Sequence, residues 1–168
     1  MAVQCRALIS AGMQHGARAV LRAAAEKKPM AIERTLCIIK PDAVQKRKAG
    51  AILQHVLEEG FNVLGMRQQQ LSLREAEGFY AVHRERPFFK DLCEFMTSGP
   101  VVLIALERDN AVAHWRKVIG ATDPAKADAG TIRKLYGSSL GENAVHGSDS
   151  VENGRIECAY YFQGSELG

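Results

Sequence analysis

The chain predicts an α+β fold: a ferredoxin-like βαββαβ order giving a four-stranded antiparallel sheet, with added helices and a long irregular loop before the last strand. Three observations point there. Strand-like and helix-like stretches alternate from residue 34 to residue 161. The helix-like ones carry apolar residues at three- and four-residue spacing, and Val101 to Leu106 is an apolar run opening on β-branched residues, as a buried central strand requires.

The elements follow in order. Residues 34–39 read as a first strand, halted by Lys40-Pro41-Asp42, because proline lacks the N–H that a ladder needs. Residues 49–59 set Ile52, Leu53, Val56 and Leu57 on one helical face, and Gly60 stops the helix. A second strand runs from Phe61 to about Gln70. Ser72 with Glu75 spells a capping box, starting a helix with Ala76, Phe79 and Tyr80. Phe88 to Ser98 forms another helix, apolar at Leu92, Phe95 and Met96 and closed by Gly99-Pro100. After the central strand, Asp109 is expected to cap a helix whose inward residues are Val112, Trp115 and Ile119, leaving Arg116 to project elsewhere. Gly120 to His146 is rich in Gly, Pro, Asp and Ser, with one short helix around Ile132 to Tyr136. Ile156, Cys158 and Tyr160 alternate with Glu157, Ala159 and Tyr161, which predicts a last strand.

At 168 residues, 46% hydrophobic and 24% charged, the chain has room for one globular domain, expected over residues 31–168. No apolar run is long enough to cross a bilayer, which predicts a soluble, cytoplasmic protein. The formal charge of +3 is unevenly placed. Residues 1–29 carry Arg6, Arg18, Arg22, Lys27 and Lys28 against Glu26 alone, so the rest of the chain is close to neutral. Residues 1–30 therefore read as a basic N-terminal extension, disordered or loosely helical. Its four-residue spacing of polar residues fits an organellar transit peptide or an amphipathic surface helix, and Met30-Ala31 equally reads as the natural start of a bacterial-type enzyme. The four cysteines and five histidines show no C-x-x-C or H-x-x-x-H spacing, so no metal held by protein side chains is expected. Neither a G-x-x-x-x-G-K-[ST] loop nor the protein-kinase signature set is present.

The chemistry concentrates in Asn143-Ala144-Val145-His146-Gly147-Ser148-Asp149-Ser150. An imidazole titrates near neutrality, so His146 can act as a free base, attack an electrophile and leave again. Gly147 is expected to spare it crowding, Ser148 and Asp149 to fix the ring or the turn, and Asn143 to bind sugar hydroxyls. Lys40 presents an ammonium group at the end of the first strand.

Taken with Arg34-Thr35-Leu36-Cys37-Ile38-Ile39-Lys40-Pro41-Asp42, Arg86-Pro87-Phe88-Phe89, Ser98-Gly99-Pro100, Gly120-Ala121-Thr122-Asp123-Pro124 and Gly130-Thr131-Ile132-Arg133, this segment resembles nucleoside diphosphate kinase in motif order and spacing across roughly residues 33–162. The resemblance implies transfer of the γ-phosphoryl group of a nucleoside triphosphate to a nucleoside diphosphate through a phosphohistidine on His146. It further implies phosphate contacts from Lys40, Arg116 and Arg133 with a hydroxyl from Thr122, a base stacked on Phe88, Tyr80 near the phosphates, and Glu157 orienting the histidine. Fixed cations suit such chemistry, since charge spreads over the phosphoryl oxygens. Magnesium is expected to arrive on the nucleotide phosphates. The family expectation for assembly is a homotetramer or homohexamer built from dimers. Lys134-Leu135 depart from the small residue and aspartate common at that point of the motif, which leaves the local loop contacts open. A nucleic-acid-binding role for the same fold is disfavoured as the principal one, because the strands lack exposed aromatics interleaved with basic residues.

Overall fold

In a computed structural model of the chain the described residues are 31–168; the extension expected over residues 1–30 lies outside them. Strands β1 (Ile32–Ile39), β2 (Asn62–Gln70), β3 (Pro100–Asp109) and β4 (Val145–Gly147) form one antiparallel sheet in the order β2-β3-β1-β4. That is the ferredoxin-like arrangement, with the apolar run of β3 beside β1 at the centre.

Helices cover both faces. On one face Cys37, Ile39, Val102, Ile104 and Leu106 meet Ile52 and Val56 of α2 (Ala49–Glu58), Trp115 and Ile119 of α5 (Ala111–Ile119) and Ile132 of α6 (Ile132–Tyr136). On the other, Leu36, Ile38, Val101, Leu103 and Ala105 meet Ala76 of α3 (Leu73–Phe79), Cys93 and Met96 of α4 (Phe89–Thr97), and Cys158 and Tyr161 of α7 (Val151–Tyr161). Burial on both sides explains why β1 and β3 read as continuous apolar runs rather than alternating ones. A short α1 (Pro41–Gln45) joins β1 to α2, with Pro41 at its first position, where the missing N–H removes nothing.

The capping box is present: Glu75 N–H donates to Ser72 Oγ at 3.3 Å and Ser72 N–H to Glu75 Oε2 at 2.7 Å. Gly60 at φ 73° ends α2 as expected.

Two expectations are corrected. Residues 156–161 are not a strand but the second half of α7. The alternation that suggested a strand coexists with a helical row, Gly154, Cys158 and Tyr161, all buried, and Ser150 caps the helix by accepting from Asn153 N–H at 3.1 Å. A Cβ on Gly154 would collide with the carbonyl oxygen of Arg34, so α7 lies directly on β1. The fourth strand is instead the short β4, which contains His146. Asp109 does not cap α5 either. The N-cap is Asn110, in the left-handed region at φ 51° with no side-chain cap bond, and the free Val112 N–H donates to Glu33 Oε2 of β1 at 3.2 Å.

Candidate active site

β4 pairs with β1 so that His146 lies opposite Ile38 and Gly147 opposite Cys37. Because strand residues alternate, His146 faces the layer of α3, α4 and α7, while Gly147 faces α5. A Cβ on Gly147 would stand 2.6 Å from Trp115 Cδ1. The glycine therefore makes room for Trp115 across the sheet, not for the histidine beside it, which revises the reason expected for it.

The His146 ring sits edge-on to Phe79, centroids 5.4 Å apart, and to Tyr80 at 6.4 Å. It is not walled off; its side chain keeps 20% exposure and lines a cleft of about 740 Å³. A chain of hydrogen bonds fixes it. Leu36 N–H donates to Ser148 Oγ at 2.9 Å, Ser148 Oγ–H donates to Glu157 Oε2 at 2.7 Å, and the same carboxylate oxygen lies 2.8 Å from His146 Nε2. Since Ser148 accepts from the backbone, its own proton goes to Glu157, and a carboxylate that already accepts it is poised to accept Nε2–H as well. Glu157 thus reaches the histidine as expected, from a helix rather than a strand.

Lys40, Tyr80, Phe88, Thr122, Arg133 and Asn143 line the same cleft. Lys40 is buried at the C-terminal end of β1 and donates from Nζ to Asn143 Oδ1 at 2.7 Å. Its pKa falls to about 8, first through burial and then through the charge of Arg133, with Asp42 partly opposing. Arg133 is anchored on two carbonyls, NH1 on Gly120 O at 3.0 Å and NH2 on Val145 O at 3.1 Å, while its buried Nε has no partner. Burial, followed by Arg116, lowers its pKa to about 10. Two buried cations with no carboxylate bonded to either make a receptor for an anion. The Tyr80 hydroxyl, also buried without a partner and raised in pKa chiefly by burial, adds an unused donor.

Asn143 departs from the simple expectation. Its amide nitrogen already donates to Thr122 O at 3.1 Å and Leu140 O at 2.9 Å, so it ties three segments of the cleft wall together. Arg116 stands exposed on α5 and does not line the cleft, although its charge reaches Arg133 and lowers the pKa of Asp149 behind the larger effect of Asn153. Phe88 is half exposed at the mouth and packs on His83 with centroids 5.7 Å apart, a flat face turned partly to solvent. The sequence reading missed His83, Asp91, Leu92, Phe95, Leu140 and Glu142 as cleft residues. Leu92 and Phe95 carry the same helical spacing as core residues, so nothing local marks them out; the nearness of Leu140 and Glu142 to Asn143 was the available signal.

Among the described residues no group of three or more His, Cys, Asp or Glu side chains could hold a metal ion, and no helix is long and apolar enough to cross a membrane.

Comparison with known proteins bears on the fold and the family. Residues 33–167 match the family described as nucleoside diphosphate kinase. The chain is 55% identical over 136 residues to the nucleoside diphosphate kinase of Geotalea daltonii, covering 81% of this chain and 99% of that one. Against that of Anaeromyxobacter dehalogenans strain 2CP-C it is 61% identical over 133 residues, covering 79% and 90%. Among solved structures, the Aquifex aeolicus nucleoside diphosphate kinase superposes with a TM-score of 0.80 at 43% identity over 82% of this chain and all of that one. The Halobacterium salinarum enzyme, solved in complex with CDP, gives 0.78 at 37% identity over 82% and 92%. A histidine held by a carboxylate beside buried, unneutralised cations is thus found on a fold and sequence shared with these proteins, and the chain belongs to the nucleoside diphosphate kinase family.

Proposed function

We propose that His146 carries the phosphoryl group of this family's reaction, as a phosphohistidine formed on Nδ1. The observation that supports this is the chain from Leu36 N–H through Ser148 to Glu157 and Nε2. It keeps the ring proton on Nε2, so the lone pair of the neutral ring sits on Nδ1. In the first half-reaction Nδ1 bonds to the γ-phosphorus, the bond from that phosphorus to the β–γ bridging oxygen breaks, and the nucleoside diphosphate leaves with the electron pair. In the second, a terminal oxygen of another diphosphate attacks the same phosphorus and the P–N bond breaks.

Lys40 and Arg133 take the phosphate charge, with Tyr80 and Thr122 donating hydroxyls; Arg suits a forked contact and Lys a point charge. Arg116 adds positive potential from outside the cleft and would come closer only by turning its side chain inward. Phe88 offers a stacking face that accepts any base, which favours broad nucleotide use. Magnesium fits as a passenger on the nucleotide, where it would shield the phosphate oxygens while this chain supplies the remaining cations. We further propose a homo-oligomer built from dimers. Among the described residues β2 is a nine-residue edge strand with no neighbour on its outer side, exposing Val63 and Met66, and an edge of that length invites a second copy. The place of action is the cytoplasm, or an organelle if residues 1–29 are a transit peptide; an intact mass beginning near Met30 would mean that segment is removed or never translated, and a full-length mass that it stays attached.

The test is incubation with γ-labelled ATP and magnesium. The expected product is an acid-labile, alkali-stable phosphoenzyme that any nucleoside diphosphate discharges. His146→Gln should fold and remain unlabelled, and robust labelling of that variant would refute the assignment.

A further inference from the structure

Three non-glycine residues among those described lie at positive φ: Arg47, Asn110 and Ala144. Arg47 and Asn110 are exposed turn residues, whereas Ala144, at φ 67°, is fully buried and stands two residues before His146. A residue bearing a Cβ is disfavoured in that conformation, so its surroundings have to hold it there. Three hydrogen bonds do so. Val145 N–H donates back to Asn143 O at 2.8 Å, closing a three-residue γ-turn centred on Ala144. Ala144 O accepts from Lys40 N–H at 2.9 Å, and Ala144 N–H donates to Asp42 Oδ2 at 3.1 Å. Asp42, in the first turn of α1, is itself buried, and its Oδ1 has no hydrogen-bond partner. A buried carboxylate left half satisfied is unfavourable in its own right and points to a role for the half that is used.

We propose that Asp42 is a positioning residue for phosphoryl transfer: its carboxylate holds the left-handed turn at Ala144 and so sets where Asn143 and His146 stand in the cleft. Asn143 precedes the turn and His146 follows it in β4. Relaxation of Ala144 to negative φ would rotate Asn143 away from Lys40 and from the carbonyls of Thr122 and Leu140. It would also disturb the start of the β4 pairing that aims the histidine. α1 thereby serves the site twice, with Lys40 at its N-cap facing phosphate and Asp42 inside its first turn facing the backbone.

This inference rests on the assignment of His146, so the test keeps the two apart. In the full chain, phosphoenzyme formation from γ-labelled ATP is measured in single turnover at pH 6.5, where Lys40 stays charged, together with the ATP KM and the melting temperature. Asp42→Ala should slow phosphorylation roughly 100-fold, the scale of a misplaced reacting group, with KM changed less than about threefold and His146 still the labelled residue. Adding Ala144→Gly to Asp42→Ala should restore at least about tenfold of that loss, because glycine adopts positive φ unaided. A merely structural aspartate predicts no such recovery. Asp42→Asn, isosteric and still able to accept from Ala144 N–H, should phosphorylate at least about tenfold faster than Asp42→Ala, or, should Asp42→Ala not fold, within about tenfold of the parent. A wild-type rate for Asp42→Ala, absence of glycine rescue, or an Asp42→Asn rate near 1% of the parent would each overturn the role of Asp42 while leaving labelling at His146 intact.

Discussion

Lys40 holds a proton less firmly than an ordinary lysine, because burial and Arg133 disfavour its charge, and its pKa of about 8 lies within the working range of an enzyme. Only the protonated form attracts phosphate. Raising the pH through about 8 should therefore lower kcat/KM, which reports the free enzyme. Bound phosphates favour the ammonium, so the corresponding fall in kcat should come at higher pH. Lys40→Arg removes the titration, as guanidinium stays charged, and should abolish the limb near pH 8 even if the absolute rate drops; a limb unmoved in that variant would assign it to another group. Glu157 invites a second measurement. Its carboxylate joins Ser148 to His146, and Glu157→Ala frees the ring to turn and to place its proton on either nitrogen. The expected result is a fall in kcat of about 100-fold with the nucleotide KM little changed. A KM effect of the same size would mean that Glu157 acts in binding.

Some helix features bear on stability alone, whereas others, α7 among them, also carry chemistry. Ser72 and Glu75 form a reciprocal cap remote in sequence from His146. Ser72→Ala should reduce stability by about 1 kcal/mol and leave the kinetics alone. Helix α7 differs, because it rests on β1 at Gly154 and delivers Glu157 to the histidine one turn later. Gly154→Ala pushes a methyl group against the carbonyl of Arg34 and should cost about 1–3 kcal/mol. It should also lower kcat beyond what Ser72→Ala does, since lifting the helix moves Glu157. Equal kinetics for the two variants, read beside their melting curves, would separate α7 from the alignment of the histidine.

At the scale of the whole molecule, the described residues close the sheet on both faces with helices and leave β2 as an edge strand. A second copy pairing along that edge would bury Val63 and Met66 and extend the sheet. Sedimentation should therefore report an oligomer with an even number of chains, and Met66→Lys, a charge placed on the exposed edge, should move the distribution toward smaller species. The melting temperature of the parent should rise with protein concentration, as mass action requires for a folded assembly. A concentration-independent monomer would remove β2 as an interface.

Local rules in the sequence determined the central strands, the Ser72–Glu75 cap, the stop at Gly60, the short helix at Ile132–Tyr136 and the candidacy of His146 and of Lys40 at the end of the first strand. Each depends on residues near one another in the chain, where spacing and turn chemistry act directly; Arg133 and Glu157 were singled out only by the family resemblance of the motifs around them. Tertiary structure decided the rest. Residues 156–161 fit two periodicities, and the seat of Gly154 against Arg34, with Cys158 and Tyr161 buried on the same row, favours the helix that Ser150 caps. Gly147 looked like space for a nucleophile until the sheet put Trp115 beneath it. Asp109 lost its capping task to Glu33, seventy-nine positions before the amide it holds. Asp42, Ala144 and Lys40 meet across about a hundred residues of chain, and no local pattern reveals that a buried carboxylate on one side holds a disfavoured turn on the other. Short-range preferences choose the elements, but burial and hydrogen-bond satisfaction act on whatever the fold brings together, and the reactive geometry belongs to that second set of forces.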